Sequence, residues 1–353
     1  MNKSALSLAI FSALAIGGAH AQSNVQVYGL IDAGVETLNH ASATDGNVVK
    51  VISGGKNTSR WGFRGTEELG GGLKAVFGLE GGILLDTGNA DGALFKRQAF
   101  VGLDGSLGRI VIGRSFTTTY DFVILFDPLG YAPNYSWATS TNASGPSKYG
   151  MTTAFDNLVK YSGERGEFKY GATIGVGEQP GSSADSRKVA VGGSWTHGGL
   201  GLMAAYEQVN GNTLPVTFNR DATTAYHLAA DYKMDALRLT AGMRGYKLVA
   251  GKAATADVRA DTYWAGVSYL PQPALTLTGA AYYVNVKNVA AGQDADPLMV
   301  VLRSMYALSK RTDLYAVAAR ATAKNGKLVS LSRDDPGFAS SQTGITVGIQ
   351  HRF

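Results

Sequence analysis

The last ten residues, 344–353, constrain this chain more than any other stretch. Ile345, Val347, Ile349, His351 and Phe353 fall on one parity, and Gly344, Thr346, Gly348, Gln350 and Arg352 on the other. Successive side chains of an extended strand point to opposite faces, so the segment presents one mostly apolar face and one polar face. A strand of that kind suits a barrel wall standing between lipid and water. An aromatic at the very end of the last strand, Phe353, is unusual in a soluble sheet and reads as the closing residue of such a wall.

The opposite end points to the compartment. Lys3 precedes an apolar stretch from Ala5 to Ile16, and Ala19, His20 and Ala21 form a small-x-small site before Gln22. The pattern predicts a secretory signal peptide over 1–21 and a mature chain over 22–353. That stretch is too short to span a bilayer, and no later run approaches the roughly 18 apolar residues a spanning helix requires. An exported chain without helical spans is periplasmic, secreted or a β-barrel. With Phe353 read as an assembly signal, the bacterial outer membrane is the expected location.

Composition agrees with that class. The 353 residues include no cysteine, so stability has to come from a large closed hydrogen-bonded sheet or a large core. Charged residues make up 17%, against about 25% in soluble domains, while Gly (46) and Tyr (17) are abundant. An apolar outer face, aromatic rims and a crowded wall call for that balance. The net charge of +5 is spread along the chain with no basic cluster longer than Lys310-Arg311, so nucleic acid is not an expected partner.

Alternation between turn signals predicts sixteen strands, near 25–39, 58–68, 73–86, 94–103, 107–115, 157–163, 167–177, 187–197, 200–210, 221–233, 236–248, 258–270, 273–287, 297–309, 313–324 and 342–353. The connections alternate in length. Tight links such as Leu69-Gly70-Gly71-Gly72 and Asp104-Gly105-Ser106-Leu107 follow long ones such as 39–57 and 86–93. An even number of strands with short turns on one side and long loops on the other is the layout of a transmembrane antiparallel β-barrel with periplasmic termini.

Face assignment then predicts a pore. In the second strand Arg60, Gly62, Arg64 and Thr66 share one face and Trp61 and Phe63 the other; in the third, Lys74, Gly78 and Glu80 lie opposite Leu73, Ala75, Phe77 and Leu79. Charges are excluded from the lipid side, so they face water inside. About sixteen strands enclose an aqueous channel, and Arg60 and Lys74 are expected to line it. One connection, 116–156, is far longer than the rest and holds Tyr120, Phe122, Phe126, Tyr131, Tyr135 and Trp137. Loops beyond about 12–15 residues are usually functional or disordered; this aromatic content favours packing inside the barrel, where the loop narrows it.

These residues resemble the trimeric general porins of Gram-negative outer membranes over essentially the whole mature chain. The carriers are Val27-Tyr28-Gly29-Leu30-Ile31-Asp32, Ser59-Arg60-Trp61-Gly62-Phe63-Arg64-Gly65-Thr66-Glu67-Glu68-Leu69-Gly70-Gly71-Gly72, Gly113-Arg114, Leu308-Ser309-Lys310-Arg311-Thr312-Asp313-Leu314-Tyr315 and the terminal Ile349-Gln350-His351-Arg352-Phe353. The resemblance implies a homotrimer of sixteen-stranded barrels whose third extracellular loop folds inward, with basic wall groups facing acidic loop groups. Arg60 matches the family's basic eyelet position on the second strand and Arg97 the one on the fourth. Asp121 and Asp127 are the carboxylates available on the loop, Asp127 being the preferred constriction acid. Relatives often carry an Arg where this chain has Ala154, three residues before Asn157, so only a weak anion preference is expected, with Lys160 partly substituting. The implied partners are outer-membrane lipids and lipopolysaccharide, the assembly machinery that reads Phe353, and small hydrophilic solutes.

Catalytic signals are lacking. His40, His197, His227 and His351 are far apart and read as loop, turn or rim residues, and no phosphate-binding loop or paired-Cys metal site occurs. Neither an enzyme nor a cofactor is expected. Trp61, Trp137, Trp195 and Trp264 read as interfacial girdle residues in preference to a sugar-stacking slide. The expected function is passive diffusion of small hydrophilic solutes and ions. The alternatives are a substrate-selective channel for sugars or organic acids and a structural or adhesive surface barrel.

Overall fold

The computed structural model describes residues 24–138 and 149–353; the expected signal peptide, 1–21, lies outside the described residues. Among the described residues the strands are β1 Asn24–Leu38, β2 Val48–Ser53, β3 Arg60–Gly70, β4 Leu73–Gly82, β5 Gln98–Gly105, β6 Gly108–Phe116, β7 Ala154–Arg165, β8 Phe168–Gly175 and β9 Lys188–His197. They continue as β10 Leu200–Asn210, β11 Ala222–Met234, β12 Leu237–Val249, β13 Val258–Gln272, β14 Leu275–Lys287, β15 Leu298–Ala307, β16 Thr312–Thr322 and β17 Ser341–Arg352. The only α-helix among them, α1, spans Thr118–Val123.

These seventeen segments make sixteen staves of one closed antiparallel barrel, because β2 and β3 pair in succession along the same edge of β1. Ala33 of β1 is opposite Ser53 and Leu30 opposite Arg60; the six residues between, 54–59, bulge inward. There Lys56 reaches Asp313 at 2.7 Å and Asn57 reaches Gln350 at 2.6 Å. The predicted loop at 39–57 thus hides a strand, and the sixth stave starts at Ala154 instead of 157.

β17 closes the ring on β1, from Leu30 opposite Arg352 to Leu38 opposite Gly344. The chain end is part of the seam: Gly29 and Phe353 exchange backbone hydrogen bonds of 3.1 and 3.2 Å. A Cβ on Gly29 would lie 2.3 Å from the Phe353 ring, so this glycine makes room for the terminal aromatic. At the β3–β4 turn Gly70, Gly71 and Gly72 all take positive φ, which other residues adopt only with strain.

The faces follow the alternation. Outward Ile345, Val347 and Ile349 are exposed while inward Thr346 and Gln350 are buried. Outward Phe168, Tyr170, Trp195, Tyr232, Tyr269 and Tyr306 ring the short-turn end, and Tyr206, Tyr226, Tyr263 and Tyr283 the other. Tyr226 and Tyr232 are six residues apart on β11, or about 20 Å along a strand, in keeping with the height of an apolar membrane band. Two tryptophans grouped with the girdles by sequence are elsewhere: Trp137 and Trp264 are buried inside the barrel. His227, read as a rim residue, is likewise inward on β11 and buried.

Candidate pore constriction

Between β6 and β7 the chain turns into the lumen, and its route is fixed by polar contacts with the wall. The Thr117 side chain accepts from Tyr120 N at 3.0 Å and caps α1. Thr118 and Thr173 hydroxyls meet at 2.8 Å, fastening the helix to β8. Past α1, Trp264 Nε1 donates to Phe126 O at 2.8 Å, and Arg238 donates to Leu125 O. Asp127 then accepts from Leu129 N (3.2 Å), Tyr131 N (2.6 Å), Ser136 Oγ (2.6 Å) and Tyr282 Oη (2.5 Å). Farther on, Tyr135 and Asn134 donate to Glu36 of β1 at 2.9 and 3.1 Å, and Trp137 donates to Leu331 O at 3.0 Å. Arg244 donates to Ala138 O at 2.7 Å.

The main buried apolar cluster lies between this loop and the wall: Phe122, Val123, Phe126, Leu129 and Trp137 pack against Met203, Tyr282, Met299 and Val317. Among the described residues the loop's contacts thus run along the wall from β8 through β17 to β1, and a cavity lies on the side of β3–β6.

On the open side two arginines share one carboxylate. Arg97 Nε is 2.6 Å from Glu80 Oε1, and Arg60 Nε is 3.8 Å from Glu80 Oε2. Tyr28 Oη also donates to Glu80, at 2.9 Å. Arg97 lies 5.2 Å over the Phe116 ring, which stacks on Tyr120 at 4.4 Å. A cavity of about 490 Å³ opens beside them, lined by Lys96, Arg97, Arg114, Phe116, Pro133 and Arg333 among others. Its charges are partly paired: Lys96 with Asp91 at 2.6 Å, Arg114 with Asp156, and Arg333 with Asp334 at 3.3 Å.

The six charged residues singled out from sequence fall in four places. Arg60, on the inward face of β3, and Arg97, just before β5, come together around Glu80. Lys160 and Asp121 pair with each other on the short-turn side of α1, where Lys160 also donates to Phe116 O at 3.0 Å; they border a separate cavity of about 690 Å³. Lys74 sits at the short-turn rim, 2.7 Å from Glu68, away from the narrows. Asp127 is 3% exposed and turned from the arginines toward Tyr282 and its own loop, so it fastens the loop instead of facing Arg60. Sequence reasoning gave Arg114 and Arg333 no place at the constriction, and placed Glu80 on the pore-facing side of its strand without seeing that it holds both arginines.

The model of the family described as Gram-negative porin matches residues 5–326. The chain belongs to that family. Over the full length of both chains it is 31% identical to outer membrane porin protein 32 of Delftia acidovorans and 30% identical to an outer membrane porin protein of Bordetella pertussis. Among solved structures it is similar to the anion-selective porin from Comamonas acidovorans, with a TM-score of 0.79, 26% identity and coverage of 94% of this chain and 100% of that one. The trimer form of OmpT from Vibrio cholerae shares the fold at 17% identity and a TM-score of 0.70, over 94% and 99% of the two chains. This porin is a passive diffusion channel of the bacterial outer membrane for small hydrophilic solutes.

Proposed function

We propose that the channel passes small anions in modest preference to cations, with Arg60 and Arg97 as the selectivity pair and Arg114 reinforcing them. The observation that carries this reading is that both arginines lean on a single carboxylate, Glu80, while the two loop carboxylates are engaged elsewhere. A narrow passage with net positive charge favours anions over cations. The similarity, over 94% of this chain, to the anion-selective porin from Comamonas acidovorans supports the same sign. Ala154 and the paired state of Lys96, Arg114 and Arg333 argue for a weak preference. Zero-current potential in a tenfold gradient of dilute KCl tests it: a sign reporting chloride preference is expected, and a potassium-preferring sign overturns the reading.

The porin is further proposed to act as a homotrimer. Outward tyrosines run from Tyr161 on β7 to Tyr306 on β15, and among the described residues none is on β1–β6, β16 or β17. Amphipathic rings mark wall that meets the lipid interface; the tyrosine-free arc carries outward Val27, Val35, Val51 and Val101 and, among the described residues, Trp61 as its one outward indole, and is the protein-facing side. Native mass spectrometry should read three chains; monomers alone would contradict this. Phe353 is proposed as the signal read by the assembly machinery, and lipopolysaccharide as a lipid partner. Deleting Phe353 should cut barrel yield in the outer membrane while export continues, and an unchanged yield would refute that role.

A further inference from the structure

Three cationic side chains stand in register on the outer surface of the wall. Lys247 of β12 is opposite Arg259 of β13, which is opposite Lys287 of β14. They share the outward parity with Tyr263 and Tyr283, whereas Ala260, Thr262, Val284 and Val286 take the buried inward one. Like charges directly opposite one another on a sheet face repel, so such a row calls for anionic company. Two carboxylates supply part of it. Asp257 lies 3.3 Å from Lys247 and 3.1 Å from Arg259, and Asp261 pairs with Lys287. The hydrogen bond from Arg259 lowers the Asp257 carboxyl below its ordinary range. Within the row three cations face two carboxylates, an excess of one positive charge. The next carboxylate, Asp296, which accepts from Tyr283 Oη at 3.2 Å, is paired with Lys324 at 3.1 Å, and 42%, 50% and 45% of the Lys247, Arg259 and Lys287 side chains remain open to the outside.

The height of the row in the wall is defined by its neighbours. Tyr263 and Tyr283, with ring centroids 6.5 Å apart, lie four residues toward the membrane from Arg259 and Lys287 on the same strands. Tyrosine rings settle at the boundary between acyl chains and headgroups, so the three cations stand among the headgroups of the outer leaflet. Basic groups at that level attract anionic lipid, and a guanidinium flanked by two ammonium groups suits phosphate oxygens.

We propose that Lys247, Arg259 and Lys287 form a site for the phosphorylated headgroup of an outer-leaflet glycolipid. Its acyl chains run down over Tyr263, Tyr283 and Leu228. The site deepens the lipopolysaccharide partnership proposed above by naming where it forms.

Bisphosphorylated lipid A titrated into the detergent-solubilised porin, with bound lipid counted by native mass spectrometry, tests it. The combined Lys247→Gln, Arg259→Gln and Lys287→Gln variant should bind at least about tenfold more weakly than the unaltered protein. A Lys252→Gln, Lys327→Gln pair in the loops should bind as the unaltered protein does, and dephosphorylated lipid A should not distinguish the proteins. A Lys247→Arg, Lys287→Arg variant should retain binding; if the triple variant does not form a barrel, Lys247→Gln alone should show a partial loss. Equal binding by the folded triple variant overturns the site while leaving the partnership standing, and no binding by the unaltered protein overturns both. Full displacement by millimolar inorganic phosphate would make this a plain anion site and also overturn the proposal.

Discussion

The two halves of the lumen use inward polar groups in opposite ways. From β8 through β17 to β1 they hold the loop: Tyr282 on Asp127, Glu36 on Tyr135, Arg244 on Ala138, Trp264 on Phe126. From β3 to β6 the same alternation brings Arg60 to a buried Glu80, and Arg97 joins them at the edge of an open cavity. The pore's charge is therefore decided by what the loop leaves uncovered as much as by what the wall contains. Asp127 and Asp121 illustrate the point. Both are loop carboxylates, yet one is used up as a fastening and the other neutralises Lys160.

The sharpest way to break this contrast is to release the loop. Asp127→Ala removes the acceptor of four hydrogen bonds from a buried position, and hydrogen bonds to charged groups are worth about 1.5–3 kcal/mol each. Allowing for relaxation, about 3–5 kcal/mol of loop anchoring should be lost. Single-channel records should then show noisier current and altered conductance while the barrel still assembles; unchanged, quiet conductance would mean that the other latches suffice. A smaller effect is expected on the open side. Glu80→Gln frees both arginines of their shared counter-charge, so anion preference should rise by about threefold at low salt, on Coulomb estimates at the effective dielectric of a wet interface. A fall in anion preference would show that Glu80 serves mainly to hold the arginines in place.

Much of this was legible in the chain before its structure. Period-two alternation and the alternating loop lengths carried the barrel, its strand number and the inward parity of Arg60 and Glu80, because both depend on local pattern. β2 escaped because Val48–Ser53 is short and its pairing with β1 is interrupted by the 54–59 bulge, which only the partner strand reveals. The fates of Asp121 and Asp127 depend on partners far along the chain: Tyr282 is 155 residues from Asp127. No spacing rule connects them. Trp137 and Trp264 misled for the same reason, since an indole at a lipid rim and one pinning a buried loop look alike in sequence.

The central claim is that Arg60 and Arg97 set the field in the open half of the lumen. Two unit charges about 5 Å apart at an effective dielectric of about 40 interact by roughly 1.7 kcal/mol, enough for a tenfold change in local ion preference. Zero-current potential should be measured in a tenfold gradient of dilute KCl for the unaltered porin, the Arg60→Glu/Arg97→Glu variant and a Lys252→Glu/Lys327→Glu control with the same change in charge. The arginine variant should move strongly toward cation preference and the control hardly at all, with the gap shrinking near 1 M salt, where the screening length falls to about 3 Å. An unchanged potential in the arginine variant would contradict the account, because it would mean that these side chains do not face the narrow part of the pore.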